Sequence, residues 1–181
     1  NGGTIISPVV GPVTPVIDEK TVIFLRGVAV LVAATPAANA KRSIMELPPF
    51  ERAVLIIKKF ETLHKPKHWP YVGYGHQVQP GEPYRRGVQL TERQADALLR
   101  KDLRKFCALY SQYGKDSILL ACLAYNCGPG VVNKSSVLKK LKAGNRDIFK
   151  AYTAHCRYKG KFHKGLYTRR VIEFYVLFIP L

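Results

Sequence analysis

The sequence predicts a mainly α-helical domain with one small β-hairpin. Apolar residues recur every three or four positions in several segments, which is the period of a helix with one buried face. Capping and helix-breaking residues flank these segments. A single short stretch instead alternates aromatic and small residues, as a strand does. The chain has 181 residues, enough for one domain with a core of its own.

The first 40 residues differ in composition from the rest. Residues 1–20 are rich in Gly, Pro and Val and carry no helical period. Lys20 then precedes an apolar run that ends in Ala38-Asn39-Ala40, a pattern typical of a signal peptide cleaved after Ala40. A non-cleaved anchor is the alternative. We therefore divide the chain into a tail with a signal-like segment, 1–40, and one domain, 41–181, and expect export to the periplasm or the extracellular space.

The first helix of the domain places a glutamate at its end. Phe50, Val54, Ile57 and Glu61 share one helical face, and Pro66 prevents the helix from running much further. Apolar neighbours and the helix C-terminus both disfavour a charged carboxylate, whereas lysines of the following loop favour it. If burial dominates, Glu61 stays partly protonated near neutral pH, as a general acid must. The alternative is a helix-terminal glutamate that reaches solvent.

The next elements follow from turn and cap signals. The segment from Tyr71 to His76 suits a short strand, and a turn at Pro80-Gly81 predicts a hairpin from about Tyr71 to Arg86. Thr91 and Gln94 form a capping box that starts a helix over 92–110. Asp102 lies on the apolar face of that helix, where we expect it to have a partner such as an arginine and not to act as a second catalytic acid.

The sequence of the C-terminal half predicts a series of further helices. The almost wholly apolar segment Ser117–Tyr125 is the predicted central element of the core. Ser135 or Ser136 caps a helix that ends at Lys142, and further helices are predicted over 146–152 and 167–178, the last after a basic loop at 157–164. In the last helix, the spacing of Arg169 and Glu173 predicts an ion pair that is structural or supports Glu61.

The charge of the domain indicates an anionic partner. The formal net charge is +17, and the acidic and basic residues before Lys41 cancel, so the excess lies in residues 41–181. Cell-wall polymer, nucleic acid and an anionic membrane surface would all be attracted. Because no recognition-helix or RNA-platform motif is present, nucleic acid is the less favoured partner.

Several kinds of site are disfavoured by the sequence. His64 and His68 could join Glu61 as metal ligands, but Pro66 breaks the helix that would align them. No phosphate loop, Ser-His-Asp order or nucleotide fingerprint is present, so we expect neither metal nor cofactor.

The four cysteines lack C-x-x-C spacing, and we expect free, buried thiols, although disulfides stay possible: Cys107, Cys122, Cys127 and Cys156.

Several segments resemble one enzyme family in sequence and in order. KKFETLH followed by YVGYGH resembles the start of the phage-type lysozymes (glycoside hydrolase family 24, endolysins). The resemblance continues through LTERQADALLRKDL, LAYNCGPG, SSVLKKLKAGN and GLYTRRVIEFYVLF, and covers most of residues 50–178. It implies a lysozyme-like α+β fold, with the hairpin at the cleft and Glu61 as the catalytic acid.

The loop after Glu61 departs from that family. The family usually carries an aspartate or cysteine, and then a threonine, between the glutamate and the glycine-rich strand. Here the loop is shorter, contains no Asp or Glu, and has Tyr71 in the place of the threonine. Tyr71 is therefore the candidate second catalytic group, which could hold a water. The candidate substrate-binding residues are Trp69, Tyr74, His76, Tyr125, Asn126 and Ser136.

The resemblance implies a monomeric enzyme that cleaves the β-1,4 bond between N-acetylmuramic acid and N-acetylglucosamine in peptidoglycan. Hydrolysis is the favoured reaction. One alternative is lytic transglycosylase-type cleavage with the same glutamate, in which the 6-hydroxyl of the muramic acid attacks. A second is a catalytically lapsed peptidoglycan-binding module, and a basic nucleic-acid-binding protein is less favoured.

Overall fold

The computed structural model describes residues 44–180, so the predicted signal-like segment lies outside the described residues. The described part is mainly helical, as predicted. Short 3-10 turns join the helices at 44–46, 66–68 and 111–116. The α-helices are α1 (Pro49–Glu61), α2 (Glu92–Leu109), α3 (Ser117–Cys127), α4 (Pro129–Asn133), α5 (Ser136–Lys142), α6 (Phe149–Thr153) and α7 (Lys164–Leu177). The strands are β1 (Tyr71–Val72), β2 (His76–Gln77), β3 (Arg157–Tyr158) and β4 (Lys161–Phe162).

Helix α3 lies at the centre of the core, as its uniform apolarity predicts. Its residues from Ile118 to Ala124 are all buried, and α1, α2, α4 and α7 pack against it. A helix that is apolar on every side can be stable only where neighbours cover every side. The C-terminal end of α3 is therefore held rigidly where it meets the groove described below.

Helices α1 and α7 pack antiparallel and fix the position of Glu61. Arg52, in the first half of α1, donates to the carbonyl of Val176 near the end of α7 at 3.1 Å. Glu61, the last residue of α1, contacts Arg169 near the start of α7. Thr62 then takes a positive φ of 57° and ends the helix. Glu61 thus lies at a helix end clamped against a buried helix.

The first hairpin is shorter than predicted. Strands β1 and β2 are antiparallel, with Val72 opposite His76, so the turn is at residues 73–75 and not at Pro80-Gly81. The predicted extent to Arg86 is wrong. The physical reason is that Gly73 and Gly75 adopt φ values of 60° and 89°, a region open to glycine at low cost. The chain therefore reverses sooner than the proline-glycine pair suggests.

A second hairpin replaces the predicted basic loop. Strands β3 and β4 pair antiparallel, with Tyr158 opposite Lys161. The connecting residues Lys159 and Gly160 both have positive φ, 52° and 79°, which is the geometry of a tight two-residue hairpin turn. Sequence periodicity over two-residue strands is too short to predict this element.

The predicted helix signals are largely confirmed. The capping box of Thr91 and Gln94 starts α2, and Ser135 caps α5. Helix α6 begins at Phe149 and not at Arg146, and the Arg146 side chain donates to Asp116 and to the carbonyl of Ile179. Helix α7 begins earlier than predicted.

Two further features concern the described residues as a whole. Within residues 44–180, no helix combines the length and the apolarity that crossing a bilayer would require. The four cysteines are free thiols, and burial raises the pKa of three of them, Cys107, Cys122 and Cys127.

Candidate active site

An open groove with a volume of about 640 Å³ runs past the end of α1. Its walls come from the loop after α1, the first hairpin, α2 and the junction of α3 with α4. The lining residues are Glu61, His64, Tyr71, Gly75, His76, Gln77, Gln79, Asp102, Lys105, Phe106, Ala124, Tyr125, Asn126, Gly128 and Pro129. Most are polar or aromatic, a lining suited to a hydrated, ring-bearing ligand.

The Glu61 carboxyl is held in a largely enclosed position on the groove wall. Its side chain is 16% exposed, and Oε2 accepts a hydrogen bond from Arg169 Nη1 at 2.8 Å. A Cβ atom on Gly75 would lie 2.7 Å from Oε1, so the hairpin backbone packs directly against the carboxyl group. With a φ of 89° as well, position 75 requires glycine for two separate reasons.

Arg169 belongs to a buried network that explains its orientation. Its Nε donates to Glu173 Oε2 at 2.9 Å, and Glu173 Oε1 accepts from Arg170 at 3.0 Å and from the Tyr152 hydroxyl at 2.7 Å. Burial disfavours the charged guanidinium, but Glu173 and then Glu61 raise the pKa of Arg169 above its ordinary value. Arg169 therefore stays cationic, and the predicted ion pair that supports Glu61 is confirmed.

The end of α3 is tied to both neighbouring elements. Arg170 Nη2 donates to Asn126 Oδ1, which fixes the amide on the groove wall. The Tyr125 hydroxyl donates to the carbonyl of Tyr74 at 2.7 Å, and burial raises the pKa of Tyr125. These bonds connect α3 to α7 on one side and to the first hairpin on the other.

His76 is clamped between two carboxylates. Its Nδ1 lies 2.6 Å from Asp102 Oδ2, and its Nε2 lies 2.9 Å from Glu82 Oε1. The hydrogen bond to Asp102 raises the pKa of His76, with a further contribution from Glu82, although burial of the ring acts in the opposite direction. With an acceptor at each nitrogen, the doubly protonated ring is favoured. Asp102 thus has a partner, as predicted, but the partner is His76 and not an arginine.

Some of the predicted site residues line the groove and others do not. Glu61, Tyr71, His76, Tyr125 and Asn126 line it together. The remaining candidates lie elsewhere: Trp69 packs half-buried against the core, Tyr74 is buried with its hydroxyl on Glu92, and Ser136 is exposed at the start of α5. Their roles in substrate binding stay predictions without support from this geometry.

Sequence reasoning missed several lining residues. Asp102 and Phe106 project from α2 into the groove at i,i+4 spacing, with Lys105 beside them. The signal was present, since Asp102 interrupts an otherwise apolar face. Nothing in the pattern signalled Gln77, Gln79 or Glu82, whose positions depend on how the loop after the hairpin folds.

The groove lining carries two carboxylates, Glu61 and Asp102, but no evident metal site. Among residues 44–180, no group of His, Cys, Asp and Glu side chains is arranged to bind a metal ion. The loop between Glu61 and Tyr71 has no acidic residue, and Asp102, the other carboxylate of the lining, is bound to His76. Glu61 is the first of these two carboxylates, and its partner is the buried Arg169.

Comparisons with known proteins agree with this geometry. The sequence profile of the phage lysozyme family matches residues 58–173. An endolysin from Escherichia coli O157:H7 phage FAHEc1 is similar at 27% identity and a TM-score of 0.56, with coverage of 67% of this chain and 87% of the endolysin. The muramidase domain of SpmX from Asticaccaulis excentricus is similar at 26% identity and a TM-score of 0.59, with coverage of 70% of this chain and 94% of the domain. No curated protein matches the chain.

The matched residues include Glu61 and Arg169, which join α1 to α7, and the whole groove lining. The profile match spans more than half of the chain, and the family expected from the sequence motifs is thereby confirmed. This chain is a member of the phage lysozyme family.

Proposed function

We propose that this chain is a lysozyme-type glycosidase that cleaves the glycan strands of peptidoglycan. The observation that carries the proposal is the Glu61 carboxyl, which lies on the wall of an open groove and is only 16% exposed. Membership of the phage lysozyme family supports the same class of activity. The bond cleaved is the β-1,4 link between N-acetylmuramic acid and N-acetylglucosamine.

Glu61 acts as the general acid. Oε2 is held by Arg169, and Oε1 faces Gly75 of the hairpin. In this proposal Oε1 carries the proton and delivers it to the leaving glycosidic oxygen as the sugar gains oxocarbenium character. Arg169 orients the carboxyl, so that little reorganisation is needed when the bond breaks.

The second participant is a water molecule held by Tyr71. The Tyr71 side chain lines the groove, and the residue is 42% exposed, so a bound water or a sugar can reach its hydroxyl. Hydrolysis follows when this water attacks the anomeric carbon: its oxygen forms the bond that replaces the broken glycosidic bond, the proton that it loses passes to the solvent of the open groove, and Glu61 is reprotonated from that solvent. We favour hydrolysis because the family is one of hydrolases.

The lytic transglycosylase-type reaction is the second candidate. It is favoured by the absence of acidic residues between Glu61 and Tyr71, since attack by the 6-hydroxyl of the muramic acid needs no second carboxylate on the protein. The product would then be an anhydro sugar in place of a reducing end.

The cellular setting belongs to the same proposal. A formal charge of +17 favours adsorption to an anionic cell wall. We place the enzyme outside the cytoplasmic membrane as a monomer without a cofactor, exported by the segment before residue 41.

Mass spectrometry of the products tests this function. Purified peptidoglycan is digested with the protein and the soluble muropeptides are analysed. Products with a reducing N-acetylmuramic acid are expected. Anhydro-muramic ends would establish the second candidate, and binding to the wall without any soluble product would overturn both.

A further inference from the structure

Both strands of the second hairpin are exposed along their whole length, and the hairpin combines cations with aromatic rings. All residues from 157 to 165 are exposed. The segment 157–167, which we call the basic-aromatic hairpin, contains the cations Arg157, Lys159, Lys161 and Lys164 and no acidic residue. It does not line the groove.

Three aromatic side chains of this hairpin face solvent. Tyr158 is 59% exposed, Phe162 is 61% exposed and Tyr167 is 37% exposed. Phe162 contacts Tyr167 at 5.9 Å between ring centroids, and Tyr158 contacts His163 at 6.1 Å. These contacts stay within the hairpin segment, and they leave more than half of Tyr158 and of Phe162 exposed. Exposed apolar rings that are grouped in this way indicate an interaction surface.

The register places the rings on both faces of the hairpin. Phe162 is paired with Arg157, and Tyr158 is paired with Lys161. Because successive residues of a strand point to opposite faces, Tyr158 and Phe162 project in opposite directions. The tight turn at Lys159-Gly160 is the exposed tip of the hairpin, and one ring lies on each face beside it.

The two-sided arrangement distinguishes between anionic partners. A polymer strand, whether nucleic acid or wall polymer, lies along one face and would leave the opposite ring in water. A lipid headgroup layer surrounds an inserted tip and can cover both rings at once. Tyrosine and phenylalanine beside lysines are typical of the interface of anionic membranes.

The basic surface continues beyond the hairpin. Helices α1 and α7 are antiparallel, so the end of α1 and the start of α7 lie at the same end of the molecule. The loop after α1 adds the exposed cations Lys65 and Lys67 at that end. A planar anionic surface could contact the hairpin and this loop together.

We propose that the basic-aromatic hairpin docks the domain on anionic phospholipid bilayers, with Tyr158 and Phe162 entering the headgroup region. This surface is separate from the groove, and binding does not require Glu61. Membrane binding can therefore be tested independently of the glycosidase function.

Vesicle sedimentation tests the charge requirement. The whole chain is mixed with vesicles of phosphatidylcholine alone or of phosphatidylcholine with phosphatidylglycerol. Binding is expected to the second kind, weakening as salt rises. The variant Lys159→Gln/Lys161→Gln should lose about fivefold in binding per lysine. The matched control Lys139→Gln/Lys142→Gln removes the same charge from exposed positions of α5 and should stay within about twofold of the native protein.

Two aromatic changes test insertion separately from charge. The variant Tyr158→Ser/Phe162→Ser keeps the net charge and should bind at least about tenfold more weakly. In a Phe162→Trp reporter, fluorescence should be quenched by bromine-labelled lipid more strongly than in the native chain, whose tryptophan is Trp69. Melting temperatures verify that each variant is folded.

Three outcomes would overturn the proposal. The first is equal binding to neutral and anionic vesicles. The second is equal loss in the hairpin and α5 lysine variants. The third is full vesicle binding by the Tyr158→Ser/Phe162→Ser variant, which would identify the surface as an electrostatic site for soluble polyanions. Vesicle binding by Glu61→Gln should equal that of the native protein.

Discussion

Arg169 Nη1 donates to Glu61 Oε2 at 2.8 Å, which joins the end of α1 to the first turns of α7 across 108 positions of the chain. The same guanidinium bonds Glu173 from Nε. One buried cation thus spans a structural carboxylate and the carboxylate of the groove. The position of the proposed acid is therefore coupled to the packing of the core.

Replacing Arg169 by Met should lower both stability and activity. Removal of the cation leaves two enclosed carboxylates short of a partner, which should cost about 3–5 kcal/mol of unfolding free energy. At temperatures where the variant is folded, kcat/KM should fall at least about tenfold, because Glu61 loses its anchor. Urea unfolding and a turbidity assay on cell walls measure the two effects.

The control for that variant is Arg100→Met. Arg100 also bridges two carboxylates, Glu51 and Asp96, but its side chain is 27% exposed. Loss of this solvent-facing pair should cost about 1 kcal/mol or less and leave activity unchanged. Equal losses in the two variants would contradict the coupling between Arg169 and the groove.

Gly75→Ala should abolish activity by displacing the Glu61 carboxyl. The added Cβ would meet Oε1 at 2.7 Å, so the carboxyl or the hairpin backbone must move. Gly81→Ala is a well-matched control, because Gly81 has the same φ of 89° with nothing within 4 Å of the added Cβ. Both variants should lose about 1 kcal/mol of stability from backbone strain, but only Gly75→Ala should lose activity. An active Gly75→Ala enzyme would contradict the proposed contact.

The contacts of His76 with Asp102 and Glu82 should make the free energy of unfolding depend on pH. The pKa of His76 is raised in the folded state by Asp102 and Glu82, so its stabilising effect is fully present below the unfolded value of about 6.5. The effect is lost as pH rises through the folded pKa. Urea unfolding of the native protein and of His76→Gln, from weakly acidic to weakly basic pH, should show a difference that shrinks as pH rises.

Glu82→Gln provides the intermediate case. It removes the charge on the Nε2 side and keeps the Asp102 contact, so its pH dependence should lie between those of the other two proteins. A difference between native protein and His76→Gln that stays constant with pH would show that the ring is not charged in the clamp.

Tyr71→Phe tests the group proposed to hold water. The hydroxyl is lost while the 42% exposed ring remains, so stability should change by less than about 0.5 kcal/mol. If the hydroxyl positions the attacking water, kcat should fall at least about tenfold with little change in KM. Tyr158→Phe, outside the groove, is the control. A native kcat in Tyr71→Phe would remove this residue from the mechanism.

The sequence predicts the helices and the place of Glu61 at the end of α1 well, because both depend on local patterns. The spacing of Ile57 and Glu61 gives the buried face of α1, and Thr91 with Gln94 gives the start of α2. The pair of Arg169 and Glu173 was also foreseeable, because the two residues share one helical face. Each of these inferences uses residues only a few positions apart.

The parts that sequence reasoning misplaced depend on tertiary contacts or on glycine backbone geometry. The first hairpin turns at Gly73–Gly75, where positive φ outweighs the stronger-looking signal of Pro80-Gly81. Asp102 meets His76, a residue 26 positions away, and no local spacing distinguishes that partner from an arginine. For Trp69 the residues left a sugar-binding and a core position equally open, and it packs half-buried against the core.

The most direct test of the account is the cleavage of purified peptidoglycan by Glu61→Gln. Glutamine can still accept the hydrogen bond from Arg169, so the fold should persist, but it cannot donate a catalytic proton. Glu51→Gln, on the opposite end of α1, is the control and should keep native activity. No soluble muropeptides are expected from Glu61→Gln. Release at the native rate by a folded Glu61→Gln protein would contradict the role of Glu61 as the general acid.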